Sequence, residues 1–216
     1  LLGRKENGPL QVQSTGTLIC MSNLGAFLKV QGKLGEAEPL HRETLEAQRI
    51  ILGPHHPSTL MSMGDLASLF VKQGKLGEAE PLMRENLAAS RETLGPSHPD
   101  TLISMGNLAG LLEYQGKLGE AGPLYREAQA VLRATLGPLH PSTLRSAYNL
   151  GTFLAKQGKM GEAEPLLHEA LAGLCGLLGR AHASTRAAFT SLVSVLTAQG
   201  KAREARELKA QYGGGK

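Results

Sequence analysis

The ten residues Gln73-Gly74-Lys75-Leu76-Gly77-Glu78-Ala79-Glu80-Pro81-Leu82 decide the fold, because near copies of them recur along the chain. The copies occupy Gln31–Leu40, Gln115–Leu124 and Gln157–Leu166, with a degenerate one at Gln199–Leu208, and each begins 42 residues after the last. A period of this size is typical of a repeat array, in which each unit buries its apolar face by stacking on its neighbours. The 216 residues therefore hold about five units, and we predict one continuous domain.

Each repeat contains two helical patterns. In the second copy, one apolar stripe at helical spacing comprises Leu60, Met63, Leu66, Ala67 and Phe70, and a second comprises Ala79, Leu82, Met83 and Leu87. Gly74 separates the stripes and can take the left-handed conformation that ends a helix. Pro81 is predicted within about the first turn of the second helix, where its missing N–H has no intrahelical partner. We therefore predict an all-α fold, an α-solenoid of about five antiparallel helix pairs.

The predicted repeats span about 17–53, 57–95, 99–137, 141–179 and 183–212. Leu2-Gly3 matches the Leu-Gly that closes each later repeat, so residues 1–16 are predicted to be the end of a preceding repeat plus a loop. The helix before Tyr212 is highly charged and suits a terminal cap, and residues 213–216 are predicted to be a disordered tail. The front helix has no such cap and carries Ile19, Cys20 and Phe27, which predicts an exposed apolar edge.

Composition excludes several classes of protein. The net charge of +4 is small and the basic residues are spread by the repeat, which argues against nucleic-acid binding despite a pI of about 9.1. No run of 18 apolar residues could span a membrane. Cys20 and Cys175 lie more than three repeats apart, so we expect two buried, reduced thiols. These features predict a cytoplasmic protein.

Histidines recur at the corner Leu-Gly-Pro-x-His-Pro-x-Thr-Leu that joins successive repeats. A row of histidines raises the possibility of a metal site, but stacking holds equivalent residues apart, whereas metal ligands must converge on a point. We therefore give a structural role to His56, His98, His140 and His182, and predict no metal or other cofactor. The chain has none of the common catalytic motifs, and its carboxylates are spaced by the repeat, so we predict that it is not an enzyme.

The helix pair resembles the tetratricopeptide repeat (TPR). Leu66-Ala67-x-x-Phe70 in the first helix and Ala79-x-x-x-Met83 in the second carry the resemblance. The 42-residue period exceeds the usual unit of about 34, and with the corner motif it is similar to the TPR variety of kinesin light chains. The same variety occurs in nephrocystin-like proteins and in the sensor arrays of large signalling NTPases. The resemblance covers residues 17–212, but the coiled-coil heptads of a kinesin light chain are absent from this stretch.

The resemblance implies a TPR-like superhelix whose concave groove is lined by first helices and receives a peptide or a helix of another protein. The position before the signature Leu is implied to face the groove, and it is occupied by Asn23, Asp65, Asn107 and Asn149. The other implied groove residues are Lys29, Lys72, Tyr114, Arg145, Tyr148 and Lys156. The amide side chains can both donate hydrogen bonds to a peptide backbone and accept them from it. The alternative interpretation is that these amides cap or brace local structure. Because basic residues outnumber Asp65 and Glu113, we predict an acidic or neutral partner.

These observations predict a non-catalytic scaffold for protein–protein interaction. The alternative function is a regulatory or sensor repeat region of a larger signalling enzyme, such as an NTPase. Further repeats or a catalytic domain upstream in the full-length chain are compatible with either.

Overall fold

The computed structural model describes residues 15–212, apart from the side chain of Thr15. The predictions for residues 1–14 and 213–216 lie outside the described residues. The first helix begins at Thr15, two residues earlier than predicted. Every regular element of the described part is a helix. The bounds are α1 Thr15–Val30, α2 Leu34–Ile51, α3 Pro57–Lys72, α4 Leu76–Thr93, α5 Pro99–Tyr114, α6 Leu118–Leu136, α7 Pro141–Lys156, α8 Met160–Leu178, α9 Ala183–Ala198 and α10 Ala202–Tyr212.

The helices belong to two compact units. The first unit, Leu1–Gly95, contains α1 to α4, and the second unit, Pro96–Lys216, contains α5 to α10. Odd-numbered helices correspond to the predicted first helices and even-numbered ones to the predicted second helices. In each unit, a first helix packs on the second helix that follows it, as α1 does on α2 and α7 on α8. The predicted architecture of antiparallel helix pairs is confirmed.

Glycine turns separate the two helices of a pair. Gly74, between α3 and α4, has a φ of 76°, and Gly158, between α7 and α8, also has a φ of 76°. This left-handed conformation is disfavoured for residues with a Cβ. The N–H of the residue after the glycine then reaches back to the helix, as Lys75 does to the Phe70 carbonyl at 2.9 Å. The turn predicted from Gln73-Gly74-Lys75 is therefore confirmed.

The corner histidines cap the first helices. His56, His98, His140 and His182 each precede a first helix, with extended backbone. In each case Nδ1 accepts a hydrogen bond of 3.2 Å from the backbone N–H two residues later. Such a bond satisfies one of the donors that a helix start leaves unpaired. A structural role at the corner is thus what the structure shows for these residues.

Proline lies deeper in the second helices than we predicted. Because α4 begins at Leu76, Pro81 is its sixth residue rather than part of its first turn. Its missing N–H leaves the Gly77 carbonyl without the helical donor it would otherwise have, and the proline ring crowds that carbonyl. The residue four positions before each helical proline is a glycine, as in Gly35 before Pro39 and Gly161 before Pro165. A residue without a Cβ can adjust its backbone most easily to this crowding.

The core of each unit lies between first and second helices. In the first unit the largest fully buried side chains are Leu18, Met63, Leu69 and Phe70. In the second unit they are Met105, Leu112, Leu144, Phe153, Leu154, Leu167, Leu171 and Leu192. Cys20 is exposed and Cys175 half-buried, so the prediction that both thiols are buried was wrong.

Second helices are joined to one another by ion pairs at an offset of 36 residues. In the first unit Arg42 binds Glu78 at 2.6 Å and Arg49 binds Glu85 at 2.8 Å. In the second unit Arg126 binds Glu162 at 2.9 Å, and Arg133 binds Glu169. These bridges lie on exposed helix surfaces, where one pair contributes at most about 1 kcal/mol.

Candidate functional site

The second unit carries a row of three cavities along its first helices α5, α7 and α9. We call this surface the first-helix face of the second unit. One cavity of about 560 Å³ is lined by Arg145, Tyr148 and Asn149 of α7, with Leu174 and Leu178 of α8 and Ala187 of α9. A second, of about 540 Å³, lies between α7 and α9. A third, of about 330 Å³, lies between α5 and α7.

Two side chains connect the three cavities. Tyr148 lines the first and the second, and Lys156 lines the second and the third. Tyr114 lines the third and is 78% exposed. The structure thus brings together five of the residues predicted from the sequence, namely Tyr114, Arg145, Tyr148, Asn149 and Lys156. Asn107 is exposed on α5 but lines none of these cavities.

Glu113 orders the polar end of the third cavity. Its Oε1 accepts from Lys156 Nζ at 2.6 Å, and its Oε2 accepts from the Tyr125 hydroxyl at 2.9 Å. Burial raises the pKa of Tyr125 well above its usual value, and the hydrogen bond to the Glu113 carboxylate acts in the same direction. Tyr125 is therefore a neutral donor at physiological pH. Lys156 keeps 72% of its side chain exposed, so this bond positions its ammonium group without burying it.

In the first unit, the predicted site residues are more dispersed. Lys29 of α1 and Asp65 of α3 form an ion pair at 3.2 Å between two first helices. Asn23 and Lys72 are exposed on α1 and α3. No ion pair involves Lys72 or Arg145 among the described residues, whereas Lys29 and Lys156 each have a carboxylate partner. Of the four basic residues predicted at the site, only Lys72 and Arg145 therefore keep a positive charge that no described carboxylate pairs with.

The asparagine amides at the position before the signature Leu form no hydrogen bond with other described residues. Within residues 15–212 the side chains of Asn23, Asn107 and Asn149 make no hydrogen bond, so no cap or local brace uses them. Mid-helix Gly106 lies on the same helix as Asn107, and a Cβ built there would meet no atom within 4 Å. Space therefore exists beside the amide for another chain to approach.

Sequence reasoning missed the apolar part of this surface. Ile103 of α5 is 47% exposed and Met61 of α3 is 70% exposed, at positions equivalent to Arg145. Leu174 and Leu178 form the floor of the largest cavity. A signal was present, since the position of Leu174 is polar in the first two repeats, as Gln48 and Ser90, and becomes Leu132 and Leu174 afterwards.

No group of three or more His, Cys, Asp or Glu side chains in residues 15–212 could hold a metal ion. No described helix is long and apolar enough to cross a membrane.

Comparison with known proteins agrees with this architecture. A model of the tetratricopeptide repeat matches the chain four times, over residues 17–85, 66–134, 107–174 and 142–212. No curated protein matches the sequence closely enough to count as a relative.

Three solved structures show the likeness. A Podosopora anserina protein of nearly identical TPR-like repeats, provisionally assigned as a kinesin light chain, superposes with a TM-score of 0.79 and 29% identity, covering 93% of this chain and 95% of that one. A point variant of it is 30% identical over 91% of this chain and 92% of that one. BtubC (BKLC) from P. vanneervenii has a TM-score of 0.77 and 22% identity, covering 93% and 83%. The chain thus belongs to the tetratricopeptide repeat family, with repeats of the kinesin-light-chain-like variety.

Proposed function

We propose that this protein is an interaction scaffold that holds an extended peptide or a helix of another protein on its first helices. The observation that carries the proposal is the row of three cavities joined through Tyr148 and Lys156. The row offers apolar floors of leucine and phenylalanine, an exposed aromatic ring at Tyr114 and an amide at Asn149. Partner-binding surfaces commonly combine buried apolar anchors with a polar rim.

The chemistry of the surface also suggests the character of the partner. Arg145 borders the largest cavity, next to Leu174 and Leu178. We propose a segment with an apolar side chain for this cavity and an acidic or neutral residue near Arg145. Asn23, Asp65, Asn107, Asn149 and the predicted basic residues remain the proposed contacts along the first helices. The proposed compartment is the cytoplasm, where the free thiols Cys20 and Cys175 would stay reduced.

The proposal is tested by protein capture from a cell lysate with two matched variants. The first combines Asn107→Ala and Tyr148→Ala on the first helices. The control combines Arg126→Ala and His168→Ala on the exposed surface of the second helices. Circular dichroism should first show equal helicity for both variants and the wild type.

We expect the control variant to retain partners that the first variant loses. Crosslinking followed by mass spectrometry should place those partners next to α5 and α7. Identical capture by the two variants, with crosslinks on the second helices, would contradict the proposal. A regulatory or sensor region of a larger signalling enzyme remains the alternative prediction, and no feature of residues 15–212 favours it over a scaffold.

A further inference from the structure

His41 is unlike the other histidines of the chain, because it is completely buried. It lies in α2 with 0% of its surface exposed. Neither ring nitrogen has a hydrogen-bond partner among the described residues. The four corner histidines, in contrast, each use a ring nitrogen to cap a helix, and His55 and His168 are exposed. A buried polar group without a hydrogen-bond partner destabilises the fold.

The surroundings of His41 are those of an apolar residue. The equivalent positions of the next three repeats are Met83, Tyr125 and Leu167. His41 lies directly on Gly25 of α1, where an added Cβ would come within 2.8 Å of Nε2. The fourth repeat has the same arrangement with an apolar side chain, since a Cβ on Gly151 would come within 2.8 Å of Leu167 Cγ. Leucine is therefore the natural packing equivalent of His41.

The charges that act on His41 come from the two first helices of this unit. Lys29 reaches it from α1 and Asp65 from α3, and these two side chains already bind each other at 3.2 Å. Burial holds the pKa of His41 below its usual value, and the Lys29 charge adds to this effect, whereas Asp65 and the Gly25 backbone oppose it. His41 is thus neutral at physiological pH and can gain a proton only in acid.

Protonation of His41 would place a charge in a fully buried site against Gly25, where neither ring nitrogen has a hydrogen-bond partner among the described residues. The carboxylate whose charge favours that proton, Asp65, is already bound to Lys29, so an imidazolium would either draw Asp65 away from Lys29 or leave the space against Gly25. Either movement disturbs the contact of α2 with α1 and the Lys29–Asp65 bridge between α1 and α3. We propose that His41 makes the first helix pair acid-sensitive, so that mild acidification loosens α1 on α2 and breaks the Lys29–Asp65 bridge.

The direction of the effect follows from linkage. A histidine whose folded pKa is lowered binds more protons when unfolded, so it destabilises the fold as the pH falls below the ordinary value of about 6.5. The equilibrium for local opening of α1 and α2 should increase by up to roughly tenfold per pH unit between that value and the folded pKa. Below the folded pKa the effect levels off.

The test is hydrogen exchange at pH 7.5 and pH 5.5, corrected for intrinsic rates, on the full chain and on His41→Leu. We expect wild-type amides of α1 and α2 to lose severalfold to tenfold protection at pH 5.5, while His41→Leu keeps its protection. Amides of α7 and α8, around the Gly151–Leu167 contact, should change equally in both proteins. Equal loss in wild type and variant, or no loss in the wild type, would overturn the proposal.

A second measurement does not depend on the variant folding. In a uniformly isotope-labelled wild-type protein, an NMR titration reports the pKa of each histidine ring together with the backbone amide shifts. A His41 resonance that titrates at or above the ordinary histidine value would overturn the proposal by itself. A resonance that titrates below it, accompanied by shifts in the amides of Gly25 and Asp65, would support it.

Discussion

At the scale of single residues, close contacts between the two helices of a pair depend on glycine. Gly151 of α7 packs against Leu167 of α8, and Gly173 of α8 packs against Leu144 of α7. The position of Gly151 is alanine in the second and third repeats, at Ala67 and Ala109, both fully buried. Whether a repeat can hold alanine instead of glycine at this position therefore depends on the large side chain that packs against the position.

Gly151→Ala should destabilise the protein by roughly 1–3 kcal/mol, because the added methyl group overpacks the contact with Leu167. Gly106→Ala is the matched control, since its Cβ would meet nothing within 4 Å. We expect this second variant to be more stable by about 0.5–1 kcal/mol, because alanine restricts the unfolded chain and favours the helix. Urea denaturation gives both free energies. If both substitutions changed the free energy of unfolding equally, α7 and α8 would have to adjust to the added methyl group at no cost.

At the scale of helices, the starts of α3, α5, α7 and α9 depend on a histidine side chain. His140→Ala removes the acceptor that binds the Ser142 N–H and should cost about 1 kcal/mol. His140→Asn should restore most of this stability, because asparagine is among the preferred residues at a helix N-cap. Thermal unfolding of the three proteins tests this. If alanine and asparagine gave the same midpoint, the capping bond would not contribute to stability.

In two of the second helices, a glutamate binds residues of the glycine turn in the following repeat. Glu38 of α2 accepts from Lys75 at 2.7 Å, from Gln73 at 2.9 Å and from Arg42 at 3.0 Å. Glu164 of α8 binds Lys201 in the same way at 2.7 Å. The Lys75 hydrogen bond, with those from Gln73 and Arg42, lowers the pKa of Glu38 from 4.5 to about 2.

This shift predicts a specific acid dependence. Because the folded pKa of Glu38 lies below its unfolded value, its contribution is fully present above about pH 4.5 and is lost as the pH falls toward 2. Glu38→Gln should therefore be less stable than wild type at pH 6, with a difference that shrinks between pH 4.5 and pH 2. Urea midpoints at several pH values measure that difference. A constant gap across this range would mean that Glu38 acts through packing rather than charge.

At the scale of the whole molecule, the front of the first unit is apolar. Ile19, Phe27 and Val30 of α1 are 55%, 59% and 82% exposed, and Cys20 is exposed beside them. An exposed apolar edge is what Ile19, Cys20 and Phe27 predict, although the expectation of a buried Cys20 thiol was wrong. Large exposed apolar patches favour association between molecules.

We expect the protein to associate weakly and reversibly as its concentration rises. The double variant Phe27→Gln and Val30→Lys should reduce this association, and lysine already occupies the position equivalent to Val30 at Lys72. Multi-angle light scattering across a concentration series measures the average mass of each protein. A wild type that stays monomeric throughout would show that this surface does not drive association.

The period, the helix pairs and the turns can be predicted from the sequence, because they depend on local signals. Apolar spacing, Gly74 and the corner prolines act within a few residues of one another, and so the element order could be predicted. The depth of Pro81 was misjudged because a helix start shifts by a residue or more without changing the apolar pattern.

Only the tertiary structure decided the contacts between repeats. Residues 36 or more positions apart meet in the Lys29–Asp65, Arg42–Glu78 and Lys156–Glu113 pairs, and no local rule selects these partners. The apolar floor formed by Leu174 and Leu178 likewise becomes a cavity only when α7, α8 and α9 come together. Packing also determined that the ring nitrogens of His41 have no hydrogen-bond partner among the described residues. The alignment of His41 with Met83, Tyr125 and Leu167 indicates a core position but does not say which polar atoms surround it.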